Sequence, residues 1–133
     1  MLRLLLILAI AGSAHAALQP VALSVLCTTA DAVVVGEVAS VDHHWVAGRA
    51  AIERHIWFSV EHGLQVDGID LRIPGGTIDG LTQALEHAAP LEVDGRYLLL
   101  LRKASDHWTV VGGEQGTVPL KADDGIPEVC RDR

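Results

Sequence analysis

The feature that most limits what this chain can fold into is a pair of long segments with period-two apolar character. The first is Ala32 to Trp45 (AVVVGEVASVDHHW); the second, Ala51 to Glu61 (AIERHIWFSVE), follows the turn Ala47-Gly48-Arg49. Side chains of a strand alternate between its faces. In the first segment Val33, Val35, Ala39, Val41, His43 and Trp45 share one side, while Val34, Gly36, Val38, Ser40 and Asp42 share the other. In the second, Ile52, Ile56, Phe58 and Val60 share a side that Arg54 interrupts, and Glu53, His55, Trp57, Ser59 and Glu61 make the wetter side. Two such runs across a short turn predict a long antiparallel hairpin. Gly36 inside the first run predicts a bend or bulge of the kind a coiled barrel strand needs.

The remaining segments extend that hairpin into a barrel. Ile69 to Ile73 (IDLRI) alternates and is ended by Pro74-Gly75-Gly76. Gly80 to Ala89 predicts either a short helix with Leu81 and Leu85 inward or an irregular loop that Pro90 cuts off. Asp94-Gly95 opens a second hairpin. Its first strand, Arg96 to Lys103 (RYLLLLRK), is a continuous apolar run expected to be buried on both faces. His107 to Val111 pairs back, and Thr117 to Leu120 adds a short last strand. Near the other terminus, Val21 to Thr29 predicts a short helix with Val21, Leu23 or Ser24, and Cys27 inward and Leu26 packing beside them. The expected class is therefore all-β: a five-stranded OB-like barrel preceded by a short N-terminal helix. A small open sandwich is the alternative.

At 133 residues the chain holds one domain of ordinary size. Residues 1–16 (MLRLLLILAIAGSAHA) read as a signal peptide: Arg3, an apolar run too short to span a bilayer, and an A-x-A cleavage pattern ending at Ala16. Cleavage before Ala17 leaves residues 17–133 as a single OB-like barrel domain, secreted or periplasmic, with no membrane association. Export changes the meaning of the two cysteines. An oxidising compartment favours their only possible pairing, Cys27 with Cys130. Ten Lys plus Arg against seventeen Asp plus Glu give a net charge of −7, which repels phosphate backbones. Nucleic acid is excluded as the expected partner.

Several of these segments are similar to a known group. Ala30-Asp31-Ala32-Val33-Val34-Val35-Gly36-Glu37-Val38, the loop Pro74-Gly75-Gly76, the strand Gly95-Arg96-Tyr97-Leu98-Leu99-Leu100-Leu101 and the glycines from Gly112 to Gly116 resemble small secreted bacterial domains of unknown function. Those domains look like the OB-type fold of the netrin-like and metalloproteinase-inhibitor group. The resemblance covers about Val21 to Leu120 and implies the barrel and an inhibitory role. Inhibitors of that group chelate zinc through a cysteine at the mature N-terminus. Here Ala17 stands at that place and Cys27 lies inside the chain, so chelation is not carried over.

Candidate chemistry concentrates on the hairpin. Four of the seven histidines, His43, His44, His55 and His62, lie on or beside it, and Asp42 or Glu53 would complete a Zn²⁺ or Cu²⁺ shell. Neighbours His43 and His44 point to opposite faces, and no H-x-H or H-E-x-x-H spacing occurs, so metal binding through His43, His44 and His55 is the second reading. No G-x-S-x-G elbow, thiol-nucleophile context, phosphate loop or complete calcium loop is present, so no enzyme and no cofactor are expected. Trp45 and Trp57 are candidate contacts, because OB barrels stack ligands on exposed aromatics. The alternative has Trp45 and Trp57 covering one another while Trp108 seals a barrel end. The long connection from Pro74 to Asp94 offers Asp79, Gln83, Glu86 and His87 as binding positions, or plugs the barrel. The expectation is a monomeric, non-catalytic binding or inhibitory module for a protein or glycan.

Overall fold

In the computed structural model, which describes residues 20–131, the hairpin is present as β1 (Ala32–Val46) and β2 (Ala51–His62). Their turn runs through positive φ at Ala47, Gly48 and Arg49. The expected strict alternation in β1 does not hold along its whole length. Register shifts fall between Val35 and Gly36 and between Val38 and Ser40. The first adds Glu61 to β2 and the second adds Ala39 to β1, so beyond Ala39 the inward side passes from Val34 and Val38 to Val41, which was expected on the other side.

The strands close on themselves. β3 (Gly68–Pro74) pairs antiparallel with β2, and β6 (Arg96–Lys103) pairs antiparallel with β1. β7 (Trp108–Val110) lies between β6 and β3, antiparallel to the first and parallel to the second through Leu71 and Trp108. The ring β1-β2-β3-β7-β6 is thus a closed five-stranded barrel, as the sequence predicts. β8 (Thr117–Pro119) continues along the edge of β6 that β7 begins, after a 3₁₀ turn at Gly113–Gly116. At Gly36, β1 meets Tyr97 on β6 and Val60 on β2. A Cβ at Gly36 would collide with the Ser59 carbonyl and lie 2.8 Å from the Phe58 ring, so glycine is required for this close passage.

Two apolar cores result. The barrel interior holds Val34, Val38, Ile56, Phe58, Leu71, Leu99 and Leu101. A second core lies outside the barrel wall, where α1 (Leu23–Thr29) packs Leu26, Cys27 and Ala30 against Val33, Val35, Leu98 and Leu100. Leu98 to Leu101 alternate between the two cores, which is why that run carries no polar residue. Within α1 the inward set is narrower than expected, since Val21 precedes the helix and is exposed.

Of the two expectations for the segment before Pro90, the helix is overturned. Gly80 to Ala89 forms no helix; β4 (Gly76–Ile78) and β5 (Leu81–Gln83) make a small hairpin around Asp79-Gly80, both at positive φ. A two-residue Asp-Gly loop suits a tight hairpin better than a helix start. Leu81 and Leu85 consequently face solvent instead of the core. Further along, Ala89 and Leu91 do enter the barrel core, so the end of this connection plugs it.

Cys27 and Cys130 are disulfide-bonded, both buried, with Cα atoms 5.3 Å apart and a sequence separation of 103. The bond fastens α1 to the 3₁₀ turn Glu128–Cys130. Among the described residues no helix is long and apolar enough to cross a membrane. The assigned signal peptide lies outside the described residues. Closing a loop of this length contributes up to about 4.7 kcal/mol in the chain-entropy model. Alkylation of the folded protein without reductant should leave both cysteines unlabelled, and reduction should lower Tm by roughly 10 °C or more. Free labelling of either thiol in the native exported protein contradicts the bond.

Candidate functional site

The barrel is covered unevenly. α1 and the disulfide shield the outer side of β6 and the first half of β1, whereas among the described residues no helix lies over the outer sides of β2 and β3. Register places polar and aromatic groups there in rows. Ser40, Trp57 and Asp70 lie side by side; Asp42, His55 and Arg72 form the next row; His44, Glu53 and Pro74 the third. Directly opposed residues on adjacent strands share a face, so these side chains are neighbours.

Trp57 is the exposed tryptophan of this face, at 49% of its full surface. Its indole lies flat against Gly68, the diagonal neighbour on β3: a Cβ there would stand 2.6 Å from Trp57 Cε2 and 2.9 Å from Nε1. A cavity of about 340 Å³ opens beside the ring, lined also by Val66, Asp70, Lys103, Asp106 and Trp108. Trp108 is half-buried against the barrel core at this edge, and Lys103 Nζ sits 4.7 Å from its ring centroid.

Charge along the cavity is balanced and loosely held. Arg72 Nη2 lies 3.7 Å from Asp70 Oδ2 and 3.6 Å from Asp106 Oδ2, beyond good hydrogen-bond length. Arg72 Nε is buried without a partner. The His107 ring, 2.7 Å from Asp106 Oδ1, and then Arg72 hold the Asp106 carboxyl below the ordinary aspartate range. A lowered carboxyl pKa favours the ionised form in the folded state. That preference operates above the ordinary value of about 3.9 and is lost as pH falls through the lowered one.

A second cavity, about 370 Å³, adjoins the first at His107 and is walled by Arg72, Leu85, Glu86 and His87. Its loop is pinned to the 3₁₀ turn: Glu114 N–H donates to the His87 carbonyl at 2.9 Å, and His87 Nδ1 lies 2.8 Å from Glu114 Oε1. The four loop positions singled out in the sequence therefore separate. Glu86 and His87 line this cavity, Gln83 accepts the Ile52 N–H at 2.8 Å as a structural tie, and Asp79 occupies the β4–β5 turn.

The histidines do not act as one group. His43 Nδ1 accepts the Thr77 N–H at 2.9 Å and so fastens the small hairpin. His44 and His55 stack with ring centroids 4.2 Å apart, and His55 Nε2 meets Glu53 Oε1 at 2.8 Å. Stacked rings run their nitrogens alongside each other and do not aim them at a common point. Among the described residues no group of three or more His, Cys, Asp or Glu side chains is placed to hold a metal. Trp45 and Trp57 do not cover one another. Trp45 lies opposite Ile52, five positions from Trp57 and on the other face of β2.

In comparisons with known proteins, no family model, no curated protein and no solved structure matches this chain. The fold itself is a small closed five-stranded barrel compatible with an OB-like architecture. Sequence reasoning named Trp57 but missed Gly68, Asp70, Arg72, Asp106 and His107. Asp70 and Arg72 were legible as the polar parity of IDLRI, on a strand beside Trp57. The part played by Gly68 depends on register and was not. Gly68→Ala should lift the indole from the sheet, at a cost of roughly 1–3 kcal/mol. The near-UV circular dichroism and the Trp57 indole N–H resonance should change, while the Trp45 resonance stays in place. An unchanged Trp57 signal would show that the ring does not rest on Gly68.

Proposed function

We propose that this protein is an exported, non-catalytic binding module whose partner docks on the outer face of β2 and β3, around Trp57, Asp70 and Arg72. The observation that carries this reading is the uneven cover of the barrel. One side is closed by α1 and a disulfide; the other presents a half-exposed Trp over a glycine beside two adjoining cavities. Largely pre-formed concavities with an aromatic wall and a few convergent polar groups are the usual form of a binding site. The buried disulfide is compatible with an oxidising compartment, and the A-x-A pattern ending at Ala16 supports export.

The hydrogen bonds of this face support the non-catalytic reading. Among the described residues, no Ser, Thr or Cys side chain is hydrogen-bonded to the histidine of the His55–Glu53 or His107–Asp106 contact. The module works by contact, as a binder or an inhibitor. A second reading, sequestration of Zn²⁺ or Cu²⁺, draws on the contact between His44 and His55. Metal analysis of protein purified without chelators separates the two: a one-to-one content lost in His44→Ala and His55→Ala favours the metal.

Intact mass of the exported protein should correspond to a chain beginning at Ala17. Immobilised mature protein should retain a partner from the exported and cell-surface fraction of its source. Trp57→Ala and Arg72→Glu should each weaken that capture by roughly tenfold or more, in the range of a central contact residue. Asp79→Lys, on the distant β4–β5 turn, should leave it intact. Capture that survives both face variants would move the site elsewhere.

A further inference from the structure

We infer that the ligand of this face is a neutral glycan, one sugar ring of which stacks on the exposed indole of Trp57. The inference rests on the outer-face reading above and adds the chemical class of what binds there. Three observations carry it. First, Trp57 is a supported platform: one side of the ring lies on the Gly68 backbone, and half of the residue's surface is left to solvent. A flat, rigid apolar surface of this kind matches the C–H face of a pyranose, as it matches the face of a base.

Second, the groups around the platform suit hydroxyls. Asp70 and Asp106 offer carboxylate acceptors, and Arg72, which touches both only at 3.6–3.7 Å, offers donors. A vicinal diol can enter this loosely held array and accept from the guanidinium while donating to a carboxylate. Third, the local charges cancel: Asp70 and Asp106 stand against Arg72 and Lys103. A basic segment would meet carboxylates already facing Arg72, with Lys103 beside them. An anionic polymer would meet two carboxylates on a chain of net charge −7. A neutral, hydroxyl-rich ligand encounters neither repulsion. The cavity of about 340 Å³ beside the ring falls in the size range of small-ligand sites.

The test is a titration of the mature protein, isotope-labelled and followed through its tryptophan indole N–H resonances. The probes are cellohexaose, maltohexaose and the hexamer of N-acetylglucosamine, with hexagalacturonic acid and hexalysine as charged counterparts. At least one neutral sugar should move the Trp57 resonance in a saturable manner, with Kd of roughly 1 mM or tighter. Trp57→Ala should weaken that binding by roughly tenfold or more. Trp57→Phe, which keeps a ring over Gly68, should fold and retain part of it. Asp70→Asn together with Asp106→Asn should weaken it severalfold. The glycan is overturned if no neutral sugar moves Trp57 at concentrations on the order of 10 mM. It is equally overturned if Trp57→Ala leaves binding unchanged, or if only hexalysine or hexagalacturonic acid binds. If the sugars are silent while capture of a protein still depends on Trp57 and Arg72, the glycan fails and the outer face stands. If capture is also indifferent to those residues, both fail.

Discussion

Everything in this fold depends on the pairing of Ala32–Glu37 with Arg96–Leu101. Those six consecutive register pairs join the first strand of the barrel to its last long strand and turn an open sheet into a ring. They also make the wall between two apolar cores. Val34, Leu99 and Leu101 point into the barrel, and Val33, Val35, Leu98 and Leu100 point out under α1. Full burial of each such side chain is worth roughly 1.5–3 kcal/mol, so this short double wall holds a large share of the apolar burial in a small domain. The Cys27–Cys130 bond acts on the same wall by fixing α1 over it.

Because the wall is buried on both sides, it has no surface left for recognition. Binding capacity is displaced to the opposite strands, β2 and β3, which need only their inner parity to serve the core. Ile52, Ile56 and Phe58 on β2, with Ile69, Leu71 and Ile73 on β3, supply that inner parity. The alternate positions are then free to carry Glu53, His55, Trp57, Asp70 and Arg72. Side chains placed on paired strands hold their relative positions better than side chains on loops. The connection from Pro74 to Asp94, which borders the site, is itself restrained, since its residues Ala89 and Leu91 are inside the barrel core.

The parts of this arrangement that depend on local patterning were legible in the sequence. Hairpin, two-sided β6, closing strands and N-terminal helix all followed from periodicity and turn residues, and the cysteine pair followed from compartment and count. What failed was the helix alternative for the connection after Pro74. Asp79-Gly80 between Thr77-Ile78 and Leu81-Thr82 is a tight-hairpin signal, but the apolar spacing of Leu81 and Leu85 suggested a helix. The face was legible only in part. Parity identified the outward residues of β2, yet a bulge near Ala39 shifts the facing of β1 beyond it. The placement of Trp57 over Gly68 needs the inter-strand register, which no property of either segment alone supplies.

An exposed tryptophan is not by itself evidence of anything, because much of any protein surface is apolar. What distinguishes Trp57 is the state of its neighbours. Trp108 has its own ring engaged by Lys103 and its body packed on the core, so it is already committed to structure. Trp57 is committed on one side only. Around it, Arg72 is suspended between Asp70 and Asp106 at distances too long for a good hydrogen bond to either, and its buried Nε has no partner, while Asp106 keeps its contact with His107 through the other carboxylate oxygen. A structural ion-pair network gains by closing those distances, since charged hydrogen bonds weaken as they lengthen. A recognition surface gains by keeping them open, because a group already satisfied internally must be released before a ligand can use it. The loose Asp70–Arg72–Asp106 array beside a supported indole therefore fits a site that completes its hydrogen bonds with a ligand.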